Sequence, residues 1–364
     1  MSELFEGCSL GSLELKNRFV RSATWEGMAP DSGEVTDKLV ELYRELAKGG
    51  VGLIITGSAF VDPRGRCLPG HLGIDNDGLM PGLRRVADAV HDEGGTVVLQ
   101  ITHGGAQTVV DTGMPPEAPS AVEDRFSGNV PVEMTREDIE RVVNAFGAAG
   151  RRAQECGFDG VQFLTGHGYL LSEFLSPYTN VRTDEYGGSI ENRARIVFEI
   201  YDAIREQVGN EFPVMVKVNV ADFDGVGLEP NDSLWVCEQL DERGIDSIEL
   251  SGGVHAAGPE GAIRGQIDSP EKEAYFREYA ERFTPRLKCP VMLVGGIRSL
   301  GVAEKLYREG TAHFVSMCRP FISEPDLVNR WASGDTEPAR CISCTACVIA
   351  GLQEGGIRCT AFED

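Results

Sequence analysis

The chain has 364 residues, 41% of them hydrophobic, and its 34 Lys+Arg against 57 Asp+Glu give a formal net charge of −23. That length can bury a large core, and barrels of alternating strands and helices often outgrow the usual single domain. The acidic balance argues against a nucleic-acid partner, which needs a basic face, and no run of eighteen uncharged apolar residues offers a membrane span.

In chain order, short β-rich runs alternate with longer amphipathic segments. Strands are expected at 18–22, 51–56, 96–101, 160–163, 214–218, 247–250, 291–294 and 314–317. Helices are expected at 37–48 after Thr36 as N-cap, at 81–93 before Gly94-Gly95, and at 136–156, where Thr135 and Asp138 have capping-box spacing. The others are 190–208 after Ser189, 232–243, 270–286, 300–309 and 324–331. Eight such units with strands apolar on both faces predict an α/β fold, a single closed (β/α)8 TIM barrel over 1–333. A cysteine-rich extension follows at 334–364. The stretch 103–134, rich in Gly, Pro and Ser, is long enough to be a functional loop. The N-terminus lacks the basic-then-apolar pattern of a signal peptide, so the ten cysteines are expected in a reducing cytoplasm.

Barrels of this kind carry their chemistry just past the C-terminal strand ends. Those positions hold Thr24, Trp25, Ser58, Gln100, His167, Tyr169 and His255. Lys217 lies inside the fifth strand, where burial demands a partner, either a barrel carboxylate or a ligand. Gly295-Gly296 and Cys318-Arg319 follow the seventh and eighth strands, where main-chain N–H groups commonly grip phosphate; the alternative for the glycines is a plain tight turn. His167 and Tyr169, two residues apart beyond an apolar strand, are the proton-bearing groups a reduction site requires. The charges of the following loop (Arg182, Asp184, Glu185, Glu191, Arg193) are expected to form an ion-pair network that fixes it.

The run HGYLLSEFLSPYTNVRTDEYGGSIENRAR, with LKNRFVRSATWEGMA, VGLIITGSAF, QITHGG, VMVKVN, LVGGI and FVSMCRP in order around it, resembles the Old Yellow Enzyme family of flavin-dependent reductases. The resemblance covers about residues 4–321. It implies FMN across the barrel mouth, with Ala23, Thr24 and Ser58 on the ring, Gln100 at its pyrimidine edge and Lys217 near N1. It implies NAD(P)H as diffusible reductant and reduction of an activated C=C bond. His167 would polarise the substrate oxygen, and Tyr169 would protonate the α-carbon. Two positions depart from the pattern: Leu164 stands where a first polar ligand is usual, and Ala106 where arginine is usual. His255 is a candidate replacement for the missing ligand, or else an ordinary loop histidine.

Cys341-x2-Cys344-x2-Cys347-x11-Cys359 has ligand spacing for a [4Fe-4S] cluster; zinc bound by four cysteines and free thiols are the alternatives. The pattern resembles the cluster segment of dienoyl-CoA reductase and trimethylamine dehydrogenase, which favours iron–sulfur. With the sequence ending five residues past Cys359, NAD(P)H is expected to reach FMN directly, or electrons to pass through the cluster to an electron-transfer protein. Rival readings are an FMN/iron–sulfur dehydrogenase or demethylase and a non-catalytic flavin electron-transfer subunit. A homo-oligomer is left open.

Overall fold

The computed structural model describes residues 2–362. Its centre is a closed parallel barrel of eight strands: β1 (Phe19–Arg21), β2 (Leu53–Ile55), β3 (Val97–Thr102), β4 (Gly160–Thr165), β5 (Val214–Asn219), β6 (Ser247–Ser251), β7 (Val291–Leu293) and β8 (Phe314–Met317). Each strand pairs with the next, β8 pairs with β1, and the ring is complete. Every residue of every barrel strand is buried, because one face meets the barrel interior and the other meets the surrounding helices.

The period-2 alternation of strands sorts the interior into layers. At the bottom, Val20, Leu53, Ile55, Val98, Met215, Met292 and Phe314 pack together, and an antiparallel hairpin (Cys8–Leu10 with Leu13–Leu15) plugs them with Leu10, Leu13 and Leu15. Two residues further along the strands the chemistry changes to Ser22, Gln100, Gln162, Lys217, Glu249 and Ser316, all buried. The barrel thus has an apolar floor beneath a polar ring, and the ring is what the mouth opens onto. Outside, the strands carry the larger apolar cluster with the helices, including Tyr43, Phe146, Phe163 and Trp331.

The helices Asp37–Lys48 and Arg136–Glu155 start where their caps require: Thr36 accepts from Leu39 N–H, and Thr135 with Asp138 makes both bonds of a capping box. The expected helix 270–286 is broken into two short 3-10 turns, Pro270–Lys272 and Thr284–Arg286, flanking a seven-residue helix, Arg277–Phe283. Glu273 causes the break by turning inward, where its carboxylate accepts from the N–H groups of Arg298 and Ser299 and from the Ser299 hydroxyl. The expected helix 190–208 is divided at Ala194, since Arg193 is drawn inward to Leu175 O, Gly188 O and Asp232. The loop network expected there forms as Arg182–Asp184, Arg193–Asp232 and Arg136–Glu185, while Glu191 takes the Ser189 hydroxyl instead of an arginine.

Residues beyond 333 fold back onto the mouth. Ala339 N–H donates to Arg298 O, Ile357 N–H donates to Glu26 O, and Cys347, Ala350 and Ile357 are buried. Among the described residues no helix is long and apolar enough to cross a membrane.

Candidate active site

The polar ring is a connected network. Gln100 Nε2 donates to Gln162 Oε1 (2.7 Å), and Gln162 Nε2 donates to Glu249 Oε2 (3.1 Å). Ser22 Oγ donates to Glu249 Oε1 (2.5 Å) and accepts from Lys217 Nζ (2.8 Å), which lies 3.5 Å from Glu249. The partner Lys217 required is therefore a barrel carboxylate, and its ammonium still reaches the wall of the cavity above. A buried pair of this kind holds its charge in place because hydrogen bonds satisfy both ions.

Above the ring lies a cavity of ≈ 330 Å³, within the range of small-ligand sites. Ala23, Thr24, Ser58, Gln100, His167, Tyr169, Lys217, His255, Gly296, Cys318 and Arg319 all line it. Gly295 stands just behind the wall, with its carbonyl taken by Tyr275 N–H, while Gly296 turns through φ 71° to bring the main chain to the cavity. Trp25, just past β1, lines the same wall, and sequence reasoning missed Gln107, Phe126, Tyr275 and Ser316, which line it too. Only Ser316 had a signal, its inward parity on β8; the rest come from turns without periodicity.

His167 sits at φ 64°, a left-handed turn held by Asn219 Oδ1, which accepts its N–H. Its Nε2 is 2.8 Å from Ser251 Oγ. Burial, then the positive charge of Lys217, holds this imidazole well below its ordinary pKa, so it is neutral. Its carbonyl accepts from Gln107 Nε2 (2.9 Å) and meets His255 Nδ1 (3.1 Å). Since a carbonyl only accepts, His255 carries its proton on Nδ1, and Nε2 is left with a lone pair. Burial lowers the His255 pKa too. The rings of Tyr169 and His255 meet edge-on at 6.0 Å, and burial raises the Tyr169 phenol. Leu164 is 4% exposed and lines the cavity, an apolar patch where the family pattern has a polar ligand. Ala106 is buried, its N–H donating to Glu173 and its carbonyl accepting from Ser127 and Asn129, so a long side chain there would break the loop's anchorage.

Cys341 and Cys347 line the main cavity, and all four tail cysteines surround a smaller one beside Arg319. Between them the chain takes left-handed turns at Ser343 (φ 56°) and Thr345 (φ 64°), and burial raises the Cys341 thiol, opposed by a main-chain hydrogen bond at Ser343. Such turned backbone aims N–H groups at anions and thiolates. Among the described residues no three His, Cys, Asp or Glu side chains stand ready for a single metal ion.

In shape the molecule falls in the class of Old Yellow Enzyme-like barrels: it matches the Old Yellow Enzyme homologue from Zymomonas mobilis with a TM-score of 0.78 and 25% identity, covering 94% of this chain and 96% of that one. The chain belongs to the NADH:flavin oxidoreductase / NADH oxidase family, whose model matches residues 3–337. It is 37% identical to a metal reductase of Desulforamulus reducens over 94% of this chain and 51% of that protein, and 35% identical to an NADH oxidase of Thermoanaerobacter brockii over 98% and 55%. The chain therefore spans about half the length of these curated relatives. A 2-naphthoyl-CoA reductase structure superposes with a TM-score of 0.86 at 29% identity, over 93% of this chain and 53% of that one.

Proposed function

We propose that the chain is an FMN-dependent NAD(P)H oxidoreductase that reduces a C=C bond conjugated to an electron-withdrawing group. The observation that carries this reading is the half-buried Tyr169 phenol beside two neutral imidazoles, on one cavity whose floor is a charged ring. The cavity fits FMN: among the described residues the buried Ser316 Oγ and Arg298 Nε have no partner, and both residues line it. Ala23, Thr24, Ser58, Gln100 and Lys217 would hold the ring, and the Gly295-Gly296 and Cys318-Arg319 turns the phosphate. FMN held there would supply the hydride-transfer chemistry that links NAD(P)H to the alkene.

The protein's part is binding and proton placement. With Ser251 donating to Nε2, His167 presents Nδ1–H to the substrate's carbonyl oxygen. Tyr169 gives its proton to the α-carbon. His255, with a lone pair on Nε2, is suited to accept from the phenol and fix its direction, so we assign it to Tyr169 and not to the position left by Leu164. The four tail cysteines would hold a [4Fe-4S] cluster, a one-electron carrier, and their sharing of wall residues with the main cavity supports a second reading in which electrons exchange with a partner protein.

Tyr169→Phe separates the two half-reactions. Bleaching of the flavin by NAD(P)H should persist, while reoxidation by an activated alkene should slow by about 10²–10⁴-fold. Equal loss of both half-reactions would remove Tyr169 from the proton step.

A further inference from the structure

A second, smaller cavity lies behind the site. It measures ≈ 30 Å³, room for about two water molecules, and Gln107, Phe126 and His255 line both it and the main cavity. Three of the side chains around it carry a buried polar atom with no partner among the described residues: Gln107 Oε1, Ser172 Oγ and Glu173 Oε2. These residues are 3%, 1% and 2% exposed. Unpartnered buried polar atoms are costly one at a time, and three around a space of water size mark a hydrated pocket.

Glu173 is the unusual member. It sits one turn after Tyr169 on the helix Leu170–Leu175, its Oε1 accepting from Ala106 N–H at 2.8 Å. Among the described residues no cation serves it: the arginine at this pocket, Arg125, is paired with Asp224 and lies over the Tyr178 ring. Gly105 is required there, since a Cβ would come within 2.2 Å of Glu173 Oε2. The other titratable groups facing the pocket are Asp124, Tyr178, Asp222, Asp224 and His255, so its carboxylates outnumber its one paired cation.

Resting on the C=C-reducing function above, we propose that this pocket is an internal proton reserve, in which Glu173, as a carboxylic acid, returns a proton through pocket water past His255 to Tyr169 after each turnover. The balance is simple. The α-carbon gains the phenol's proton, leaving a phenolate; the Glu173 O–H bond breaks, the phenol O–H reforms, and the carboxylate is recharged from solvent past Asp222 and Asp224. No electrons move in this step. Burial, with the negative charge of Asp124, holds the Glu173 carboxyl well above the ordinary range, consistent with a proton carried at neutral pH.

Glu173→Gln keeps the shape and the bond to Ala106. In stopped flow with 2-cyclohexenone as probe, NAD(P)H bleaching should stay within about twofold of wild type, while repeated turnover slows by about tenfold or more. The solvent isotope effect on the oxidative half-reaction should rise, and added acetic acid should restore part of the rate. The wild-type decline of that step as pH rises through the Glu173 pKa should vanish in the variant. A folded variant with unchanged turnover and isotope effect overturns the proposal. An infrared spectrum gives a readout free of turnover: the resting wild type should show a protonated-carboxyl band that Glu173→Gln removes. Identical spectra overturn the reserve whether or not alkene is reduced. Wild-type alkene reoxidation in Tyr169→Phe would instead sink the proposed function, and the infrared band would still decide where the proton rests.

Discussion

Ser58 shows how one buried residue outside the chemistry shapes the wall. His71 is 1% exposed; its Nδ1 accepts from Cys67 N–H (3.3 Å), so its proton is on Nε2, facing Ser58 Oγ at 3.2 Å. That bond leaves the Ser58 hydroxyl proton free to point into the cavity. Burial pushes the His71 pKa down to about 3. A base depressed in the fold contributes stability above its unfolded pKa of 6.5 and loses it as pH falls toward about 3. Between pH 7 and pH 5 the loss should be about 2 kcal/mol from this residue. Thermal melts across that window should show the acid limb, and His71→Gln should flatten it; an unchanged limb would move its origin to another group.

At the scale of elements, the tail tests which cavity each cysteine serves. Cys344 borders the small cavity alone, whereas the buried Cys347 borders both. Cys344→Ser should therefore abolish bound iron and sulfide yet leave FMN content near one per chain, while Cys347→Ser should lower both. Iron, sulfide and flavin assays on anaerobically purified protein decide this. The barrel strands were legible because burial on both faces writes each one as an apolar run bounded by turns, and all eight lie within two residues of expectation at either end. The N-terminal hairpin was not, since three-residue strands are too short to show alternation. The stretch 270–286 misled because Phe276, Ala280 and Phe283 keep helical spacing just past Glu273, a carboxylate that caps another element. The same holds at the site: residues in register on strands (Gln100, Lys217) could be found by parity, but Gln107 and Phe126 reach the mouth from the long loop, where only three-dimensional closure brings them to His255.

The whole molecule responds to what fills its mouth because every barrel strand contributes to the wall. Thr24, Ser58, Gln100, Leu164, Lys217, Ser251, Val294 and Ser316 come in order from β1 to β8 or from the turns just beyond them. The ring Gln100–Gln162–Glu249–Ser22–Lys217 ties five of those strands, or the turns that follow them, by side-chain bonds. Opening any of these five units breaks the network, so a ligand seated on it stabilises them together. Mass action sets the size: FMN at a hundred times its dissociation constant adds about 2.7 kcal/mol. For a chain of 364 residues, an unfolding entropy of about 2.1 cal/mol/K per residue converts that gain into a rise of about 3–4 °C in Tm. Flavin-stripped protein titrated with FMN should climb in this way, with a further step for each tenfold excess, and riboflavin, which lacks the phosphate, should yield a smaller rise. Equal shifts from the two would mean that the Gly295-Gly296 and Cys318-Arg319 turns do not grip the phosphate, and no shift from either would leave the cavity to another ligand.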